Sequence, residues 1–175
     1  MHAPRMNQNV IVFLAGLLLT AGCGRKEATA PDPATRETVW AAIQPLAQHH
    51  HLASTVIYAL VAVESNFDPM ARHGEARGLM QLKPEAWRTV SREPYEPNVW
   101  AWRQNLAVGV DYLAWCRSNL PQNQKFSYPV LLAVYLYGLD YVAARDFNLN
   151  KLDPPDSALG RELWRGNLTP LPPPK

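Results

Sequence analysis

Glu64 is the residue of this chain whose type and position best suit chemistry, because it is an acid in line with an apolar helical face. Apolar residues precede it at the spacing of one side of a helix: Val56, Ile57, Leu60 and Val61. A carboxyl group held against hydrocarbon loses stabilisation of its charged form, so its pKa rises towards neutrality. A general acid needs such a pKa. A solvated glutamate at a fraying helix end is the alternative that this pattern leaves open.

The residues after Glu64 are predicted to form a turn. Residues 65–69 read Ser-Asn-Phe-Asp-Pro, and Pro69 disfavours a helical conformation at Asp68. The acid would then lie at the start of a loop that a substrate could reach. Phe67 is expected to pack this loop onto the helix, and Asp68 to cap or solvate the turn.

The elements that must position Glu64 are all predicted to be helices, because no stretch alternates as a strand does. The predicted helices span residues 38–50, 52–64, 84–90, 98–119, 130–137 and 140–147. Asn98 is expected to cap the fourth of them, and Gly138 to end the fifth. The fold class is therefore predicted to be all-α, with functional loops and one domain over residues 37–166.

Two other groups could in principle carry chemistry. Three consecutive histidines at residues 49–51 invite a metal interpretation, but neighbouring residues at a helix end point in different directions, so a solvated turn is predicted. Cys116 lies on an apolar face and is expected to be a small buried side chain. No metal site is predicted.

The N-terminus is predicted to be an export signal. Arg5 is followed by an apolar run at residues 10–20, which is too short to span a bilayer comfortably, and then by small residues. Residues 19–23, Leu-Thr-Ala-Gly-Cys, resemble a bacterial lipobox, in which cleavage precedes the cysteine and lipid is attached to it. This implies a signal peptide over residues 1–22 and a lipidated Cys23. An ordinary secretory signal is the alternative.

The two ends of the mature chain are predicted to be extensions of the domain. Residues 23–36 are polar and contain two prolines, which is typical of a flexible tether. Residues 167–175 form a proline-rich tail, expected to be a disordered terminus or a partner-binding segment.

Gly24 favours the outer membrane, facing the periplasm, by resemblance to enterobacterial sorting. The chain has 17 basic and 15 acidic side chains without a basic block, so nucleic-acid binding is not predicted.

Four sequence blocks in order resemble the soluble lytic transglycosylase domain. They are Glu64-Ser65-x-Phe67-x-Pro69-x-Ala71, Gly78-Leu79-Met80-Gln81-Leu82-x-Pro84, Asn105-x-x-x-Gly109-x-x-Tyr112-Leu113 and Ala133-Val134-Tyr135-Leu136-Tyr137-Gly138. The family has a lysozyme-like, goose-type-like helical fold with an active-site cleft. The resemblance implies cleavage of peptidoglycan glycan strands.

By this resemblance, the reaction is a non-hydrolytic cleavage of the β-1,4 bond between N-acetylmuramic acid and N-acetylglucosamine that forms 1,6-anhydromuramic acid ends. Glu64 would act first as acid and then as base, without metal or cofactor. The resemblance also implies a set of substrate-binding residues: Ser65, Gly78, Leu79, Met80, Gln81, Tyr112 and Tyr135. The expected partners are the glycan strands, the membrane through the lipid, and an unidentified protein of the cell envelope or of a secretion system.

The sequence departs from the family pattern at several positions, and the departures leave two alternatives open. Leu136 stands where the family has an asparagine that could bind sugar, Tyr137 stands where a small residue is usual, and His73 replaces a serine. A peptidoglycan-binding lipoprotein with weak or no turnover would fit Leu136, which cannot donate or accept a hydrogen bond. A lysozyme-like hydrolase would need a second acid, for which Glu75 is the candidate, although pairing with Arg77 or solvent exposure is the simpler expectation.

Overall fold

The structure, a computed structural model, describes residues 32–175, which are mostly helical. This confirms the predicted all-α class. The predicted signal peptide (1–22), the lipidation site Cys23 and the tether up to residue 31 lie outside the described residues.

Eight α-helices and one short hairpin make up the described part of the chain. The helices are α1 (Arg36–His50), α2 (Ser54–Ser65), α3 (Pro84–Val90), α4 (Tyr95–Asn98), α5 (Trp102–Ser118), α6 (Tyr128–Tyr137), α7 (Leu139–Ala143) and α8 (Ala158–Trp164). The strands β1 (Arg72–His73) and β2 (Ala76–Arg77) pair antiparallel, with His73 opposite Ala76. A 3-10 turn, Leu149–Lys151, lies between α7 and α8.

α2 is the central helix of the fold. It packs against α1 on one side and α8 on another, while α5 contacts α1, α3 and α6. Every residue from Val56 to Val61 is buried. A helix that is apolar almost all round belongs in the middle of a core, and this placement brings the end of α2 to the cleft described below.

Several element boundaries differ from the prediction. The helix expected from residue 98 begins at Trp102, because residues 95–98 form the separate short helix α4. The helix expected over residues 140–147 ends at Ala143, since Asp146 and Phe147 adopt left-handed backbone conformations (φ 59° and 54°). The hairpin was not predicted, because strands of two residues are too short to show alternation.

α8 was also not predicted, although the sequence carries a signal for it. The Ser157 side chain accepts a hydrogen bond from the Gly160 amide and caps the helix start. Gly160 and Leu163 are buried, so α8 presents one face to the core. The apolar spacing of this segment, read together with the cap, would have indicated a helix.

Polar contacts attach both ends of α1 to α5. The Trp102 indole donates to the Asp32 carbonyl (2.9 Å), and Arg103 forms an ion pair with the Asp32 carboxylate. At the other end, His50 Nε2 lies 2.7 Å from Asp111 Oδ1. The predicted solvated turn agrees with the exposure of His49 and His51, whereas the His50 ring folds against α5.

The histidines do not form a metal site in the described part of the chain, where no group of three or more candidate metal ligands occurs. Within residues 32–175, no helix is long and apolar enough to cross a bilayer. In the C-terminal tail, Leu171 is half-buried and packs against the core.

Candidate active site

A cleft of about 950 Å³ opens beside the end of α2. Segments that are distant in sequence form its walls: the end of α2, the hairpin with the loop that follows it, α3, α5, the end of α6, and residues 153–157. The predicted site residues among its lining are Glu64, Gln81, Tyr112 and Tyr135.

Glu64 is the last but one residue of α2 and lines this cleft. The helix ends directly after it, because Asn66 and Phe67 adopt left-handed backbone conformations (φ 49° and 66°). Burial raises the pKa of Glu64 to about 7. The predicted position of this acid, where its helix gives way to a turn, is confirmed.

The turn after Glu64 has a structural role. Phe67 is buried, with its ring centroid 4.9 Å from that of Tyr58, so it holds the loop against the helix as predicted. Asp68 accepts a hydrogen bond from the Met70 amide (2.8 Å) and stabilises the turn, also as predicted. The Ser65 hydroxyl donates to the Val61 carbonyl one turn back in α2 (3.1 Å), and Ser65 does not line the cleft.

Asn105 of α5 fixes the loop from Gly78 to Met80. Its side chain is completely buried, accepts from the Met80 amide (2.9 Å), and donates to the carbonyls of Arg77 (3.0 Å) and Val99 (3.1 Å). Gly78 has φ +77°, and a Cβ there would lie 2.3 Å from Asn105 Nδ2. The glycine is required both by its backbone conformation and by this close approach.

The structure places three of the predicted substrate-binding residues behind the wall of the cleft. Leu79 and Met80 are completely buried in the core, Gly78 is buried too, and none of the three lines the cleft. The Met80 side chain packs against Gly109 of α5, where a Cβ would lie 2.4 Å from the sulfur. These residues therefore shape the loop that carries Gln81.

Gln81 lines the cleft, and backbone carbonyls hold its side-chain amide. Its backbone is left-handed (φ 44°), and its Nε2 donates to the carbonyls of Ala71 (3.1 Å) and Gly78 (2.8 Å). The amide is thus held in one orientation. Its Oε1 is buried and has no hydrogen-bond partner within residues 32–175.

Tyr112 and Tyr135 lie side by side in the cleft, with ring centroids 5.6 Å apart. The Tyr135 hydroxyl donates to the Met80 carbonyl (2.7 Å). Burial raises the pKa of Tyr112 to about 12, and burial, with the charge of Glu64 as a further cause, raises the pKa of Tyr135 well above its usual value. Both phenols are therefore neutral at physiological pH and can donate hydrogen bonds.

Cys116, next to this pair, is completely buried, which confirms the prediction of a small core side chain. Burial raises the pKa of its thiol to about 12. A thiol with this pKa is not ionised at neutral pH and is a poor nucleophile.

The candidate second acid, Glu75, does not line the cleft. It is exposed in the turn of the hairpin, and Arg77 donates to the Gly74 carbonyl (2.6 Å). Three other carboxylates, those of Glu85, Asp153 and Asp156, line the cleft and are exposed.

Residues 153–157 form a wall that the sequence analysis did not predict. The Tyr137 hydroxyl donates to the Asp153 carbonyl (2.7 Å) and ties this segment to the end of α6. Leu136 and Pro155 line the cleft and also a small apolar cavity behind it, which Leu163 of α8 closes from below. Two aspartates flanking two prolines were the sequence signal for this wall. Their position beside the cleft depends on α8, which was not predicted.

Comparisons with known proteins agree on one family. Residues 41–143 match the family described as the transglycosylase SLT domain. The membrane-bound lytic murein transglycosylase F of Desulfosudis oleivorans is 31% identical over 105 residues, which cover 59% of this chain and 22% of that protein.

The fold is similar to the X-ray structure of an inactive glutamate-to-glutamine mutant of the lytic transglycosylase Slt from Pseudomonas aeruginosa. The TM-score is 0.52 at 25% identity, and the match covers 75% of this chain and 20% of that one. This confirms the predicted lysozyme-like class. The chain spans only about a fifth of the length of these two relatives.

Proposed function

The chain belongs to the transglycosylase SLT family, and on this premise we propose that it is a lytic murein transglycosylase with Glu64 as its catalytic residue. The substrate is the peptidoglycan glycan strand, cleaved at the β-1,4 bond between N-acetylmuramic acid and N-acetylglucosamine. The observation that carries the proposal is the position of Glu64 in the cleft with a pKa of about 7. The names of both relatives, which are lytic transglycosylases, support it.

In the first step, the Glu64 carboxyl donates its proton to the glycosidic oxygen. The bond from this oxygen to C1 of the muramic acid breaks, and the sugar acquires oxocarbenium character. The N-acetylglucosamine leaves with the proton from Glu64. A pKa of about 7 keeps about half of the Glu64 carboxyl groups protonated at neutral pH.

In the second step, the Glu64 carboxylate accepts the proton of the C6 hydroxyl of the same muramic acid. The C6 oxygen forms a bond to C1, which closes the 1,6-anhydro ring and restores the protonated acid. No water enters the product. One carboxyl group near neutral pKa serves both steps, because it is neither a strong acid nor a strong base.

The arrangement of acids in the cleft favours this reaction over hydrolysis. Retaining and inverting glycosidases use a pair of carboxylates flanking the scissile bond. Here Glu64 is the partly buried acid of the cleft, and the other three cleft carboxylates are exposed. Glu75, the candidate for positioning a water, does not line the cleft.

The substrate-binding residues act in two ways in this proposal. Gln81 contacts the sugar from the lining of the cleft, and Tyr112 donates to the substrate. Gly78, Leu79 and Met80 act through the backbone, since their loop presents Gln81 and receives the Tyr135 hydroxyl at Met80. Ser65 supports the end of α2 through its bond to Val61.

The proposal is tested by digesting purified sacculi with the full chain and identifying the new glycan ends by mass spectrometry. Anhydromuramic ends are expected. Ordinary reducing ends would indicate a hydrolase, and binding without products a peptidoglycan-binding lipoprotein. Glu64→Gln should lower the rate by about 100-fold or more, the usual contribution of general acid catalysis. The control Glu75→Gln, in the exposed turn, should retain the rate.

The location in the envelope is part of the same proposal. Residues 1–22 act as a signal peptide, Cys23 carries lipid, and residues 23–36 tether the domain (37–166) to the outer membrane, facing the periplasm. The name of the membrane-bound relative supports envelope association.

A further inference from the structure

Two tyrosines expose their rings at one end of the cleft, outside the groups used in the proposed reaction. Tyr137 ends α6, lines the cleft and is 36% exposed, whereas Tyr141 lies in α7 and is 45% exposed. Their ring centroids are 5.9 Å apart, with 40° between the planes. Tyr141 does not itself line the cleft, but its contact with Tyr137 places it next to the cleft wall. Large aromatic side chains exposed together indicate a binding surface.

Neighbouring groups hold both rings in place. The Tyr137 hydroxyl is bonded to the Asp153 carbonyl (2.7 Å), and the Trp164 ring meets the Tyr137 ring edge-on at 6.2 Å. The Arg145 guanidinium covers one face of the Tyr141 ring, 3.5 Å from its centroid, and donates to the Tyr141 carbonyl. Side chains that are already ordered lose little conformational entropy when a ligand binds.

The chemistry of this surface matches a sugar ring. A pyranose has a face of C–H groups that packs on an aromatic ring and a rim of hydroxyls that needs hydrogen-bond partners. Exposed carboxylates of Asp153 and Asp156 stand in the same wall as Tyr137 and accept from hydroxyl groups. Leu136, the neighbour of Tyr137 in the cleft, cannot form a hydrogen bond with the glycan. Stacking of a sugar on an aromatic ring at this end of α6 would replace the contact that a polar side chain at residue 136 could make.

We infer that Tyr137 and Tyr141 form a stacking platform for a pyranose ring of the glycan strand, beyond the sugars that flank the cleaved bond. This inference rests on the proposed function, because the strand reaches the platform from the catalytic cleft. It assigns a specificity role to Tyr137, which departs from the family pattern, and to its neighbour Tyr141: glycan length is sensed at the platform, while bond cleavage occurs at Glu64.

The test measures binding of β-1,4-linked N-acetylglucosamine oligomers by calorimetry, with the full chain carrying Glu64→Gln to prevent turnover. A long oligomer should reach the platform and a short one should not. Adding Tyr141→Ala is expected to raise the Kd for the long oligomer by about three- to tenfold, which is the usual effect of losing one aromatic stacking contact. The Kd of the short oligomer should not change, and Tyr141→Phe should retain tight binding of the long one.

The chain offers a matched control in Phe126. This ring is 40% exposed and lies under the Arg117 guanidinium at 4.9 Å, as Tyr141 lies under Arg145. Its aromatic neighbour is Tyr128, which does not line the cleft, whereas the neighbour of Tyr141 is Tyr137, which does. Phe126→Ala should leave both Kd values unchanged. If Tyr141→Ala binds the long oligomer as tightly as its parent, the platform is refuted and the proposed function stands. If the parent binds neither oligomer, the platform is refuted, and the digestion of sacculi decides the proposed function separately.

Discussion

At the scale of single residues, the burial that prepares Glu64 for catalysis also has a cost in stability. The folded protein favours the protonated carboxyl, since its pKa is raised to about 7 by burial, whereas the unfolded chain ionises near the ordinary value of 4.5. Between these two values the folded state binds more protons than the unfolded state. The free energy of unfolding therefore falls as the pH rises through this window.

Replacing Glu64 with glutamine should remove this cost. Glu64→Gln is expected to raise the free energy of unfolding by about 3 kcal/mol at pH 8, because the neutral amide does not have to ionise inside the protein. At pH 4 both side chains are neutral in the folded state, so the two proteins should be equally stable. Urea denaturation at the two pH values measures the difference. An equal gain at both would mean that ionisation of Glu64 is not the cause.

The residues of the site differ in how far the sequence reveals them. Glu64 is found by periodicity, because an acid in an apolar stripe is conspicuous. Asn105 received no role, although a polar residue at a core position of α5 must satisfy its hydrogen bonds somewhere. The inward direction of Leu79 and Met80 was beyond prediction, because it follows from the left-handed backbone of Gly78 and Gln81 on either side.

At the scale of elements, the loop between the hairpin and α3 depends on one contact between a glycine and a buried side chain. The close approach of Gly78 to Asn105 lets one amide hold three backbone groups of the loop and of α4–α5. Any side chain at residue 78 would displace that amide. The donors and acceptors left unpaired would each cost about 1–3 kcal/mol.

Two glycines of this region allow a controlled comparison. Gly78→Ala should lower the free energy of unfolding by about 3 kcal/mol or more, since both the positive φ and the contact with Asn105 oppose a Cβ. Gly74→Ala shares a positive φ (+56°) but has nothing within 4 Å of the added Cβ, so it should cost about 1 kcal/mol. Denaturant midpoints of the two variants measure this. Equal losses would show that Asn105 does not constrain the loop.

Prediction of the elements succeeded where local signals act alone. α3 has the predicted bounds, because Pro84 suits a first helical turn, and α6 ends before Gly138 as predicted. The predicted elements were wrong where packing against neighbouring elements determines the bounds of a helix. The start of α5 is delayed by α4, and α8 is stabilised by packing on α2 and α6 as well as by its own cap.

At the scale of the whole molecule, the proposed membrane anchor and the cleft involve different residues of the chain. The tether enters the described structure at Asp32, which contacts Trp102 and Arg103 at the start of α5. Neither Trp102 nor Arg103 lines the cleft, to which α5 contributes Tyr112. Loss of the anchor should therefore change where the protein is found and not what it cleaves.

Fractionation of cells tests the anchor. Cys23→Ser should move the protein from the membrane fraction to the soluble periplasmic fraction, with its activity on sacculi unchanged. Cys116→Ala, which changes the only other cysteine of the chain, should leave the protein in the membrane fraction. Retention of the Cys23→Ser protein in membranes would refute lipid attachment at this residue.

The position of residues 153–157 in the chain determines the order in which the parts of the cleft are synthesised. Glu64 and its helix are made early, but the wall opposite depends on Tyr137, on Pro155 and on α8, which ends at Trp164. A nascent chain that still lacks this segment has the acid without the enclosure around it. The cleft is therefore enclosed only after residues 153–164 have been synthesised and folded, and the acid precedes the site that surrounds it.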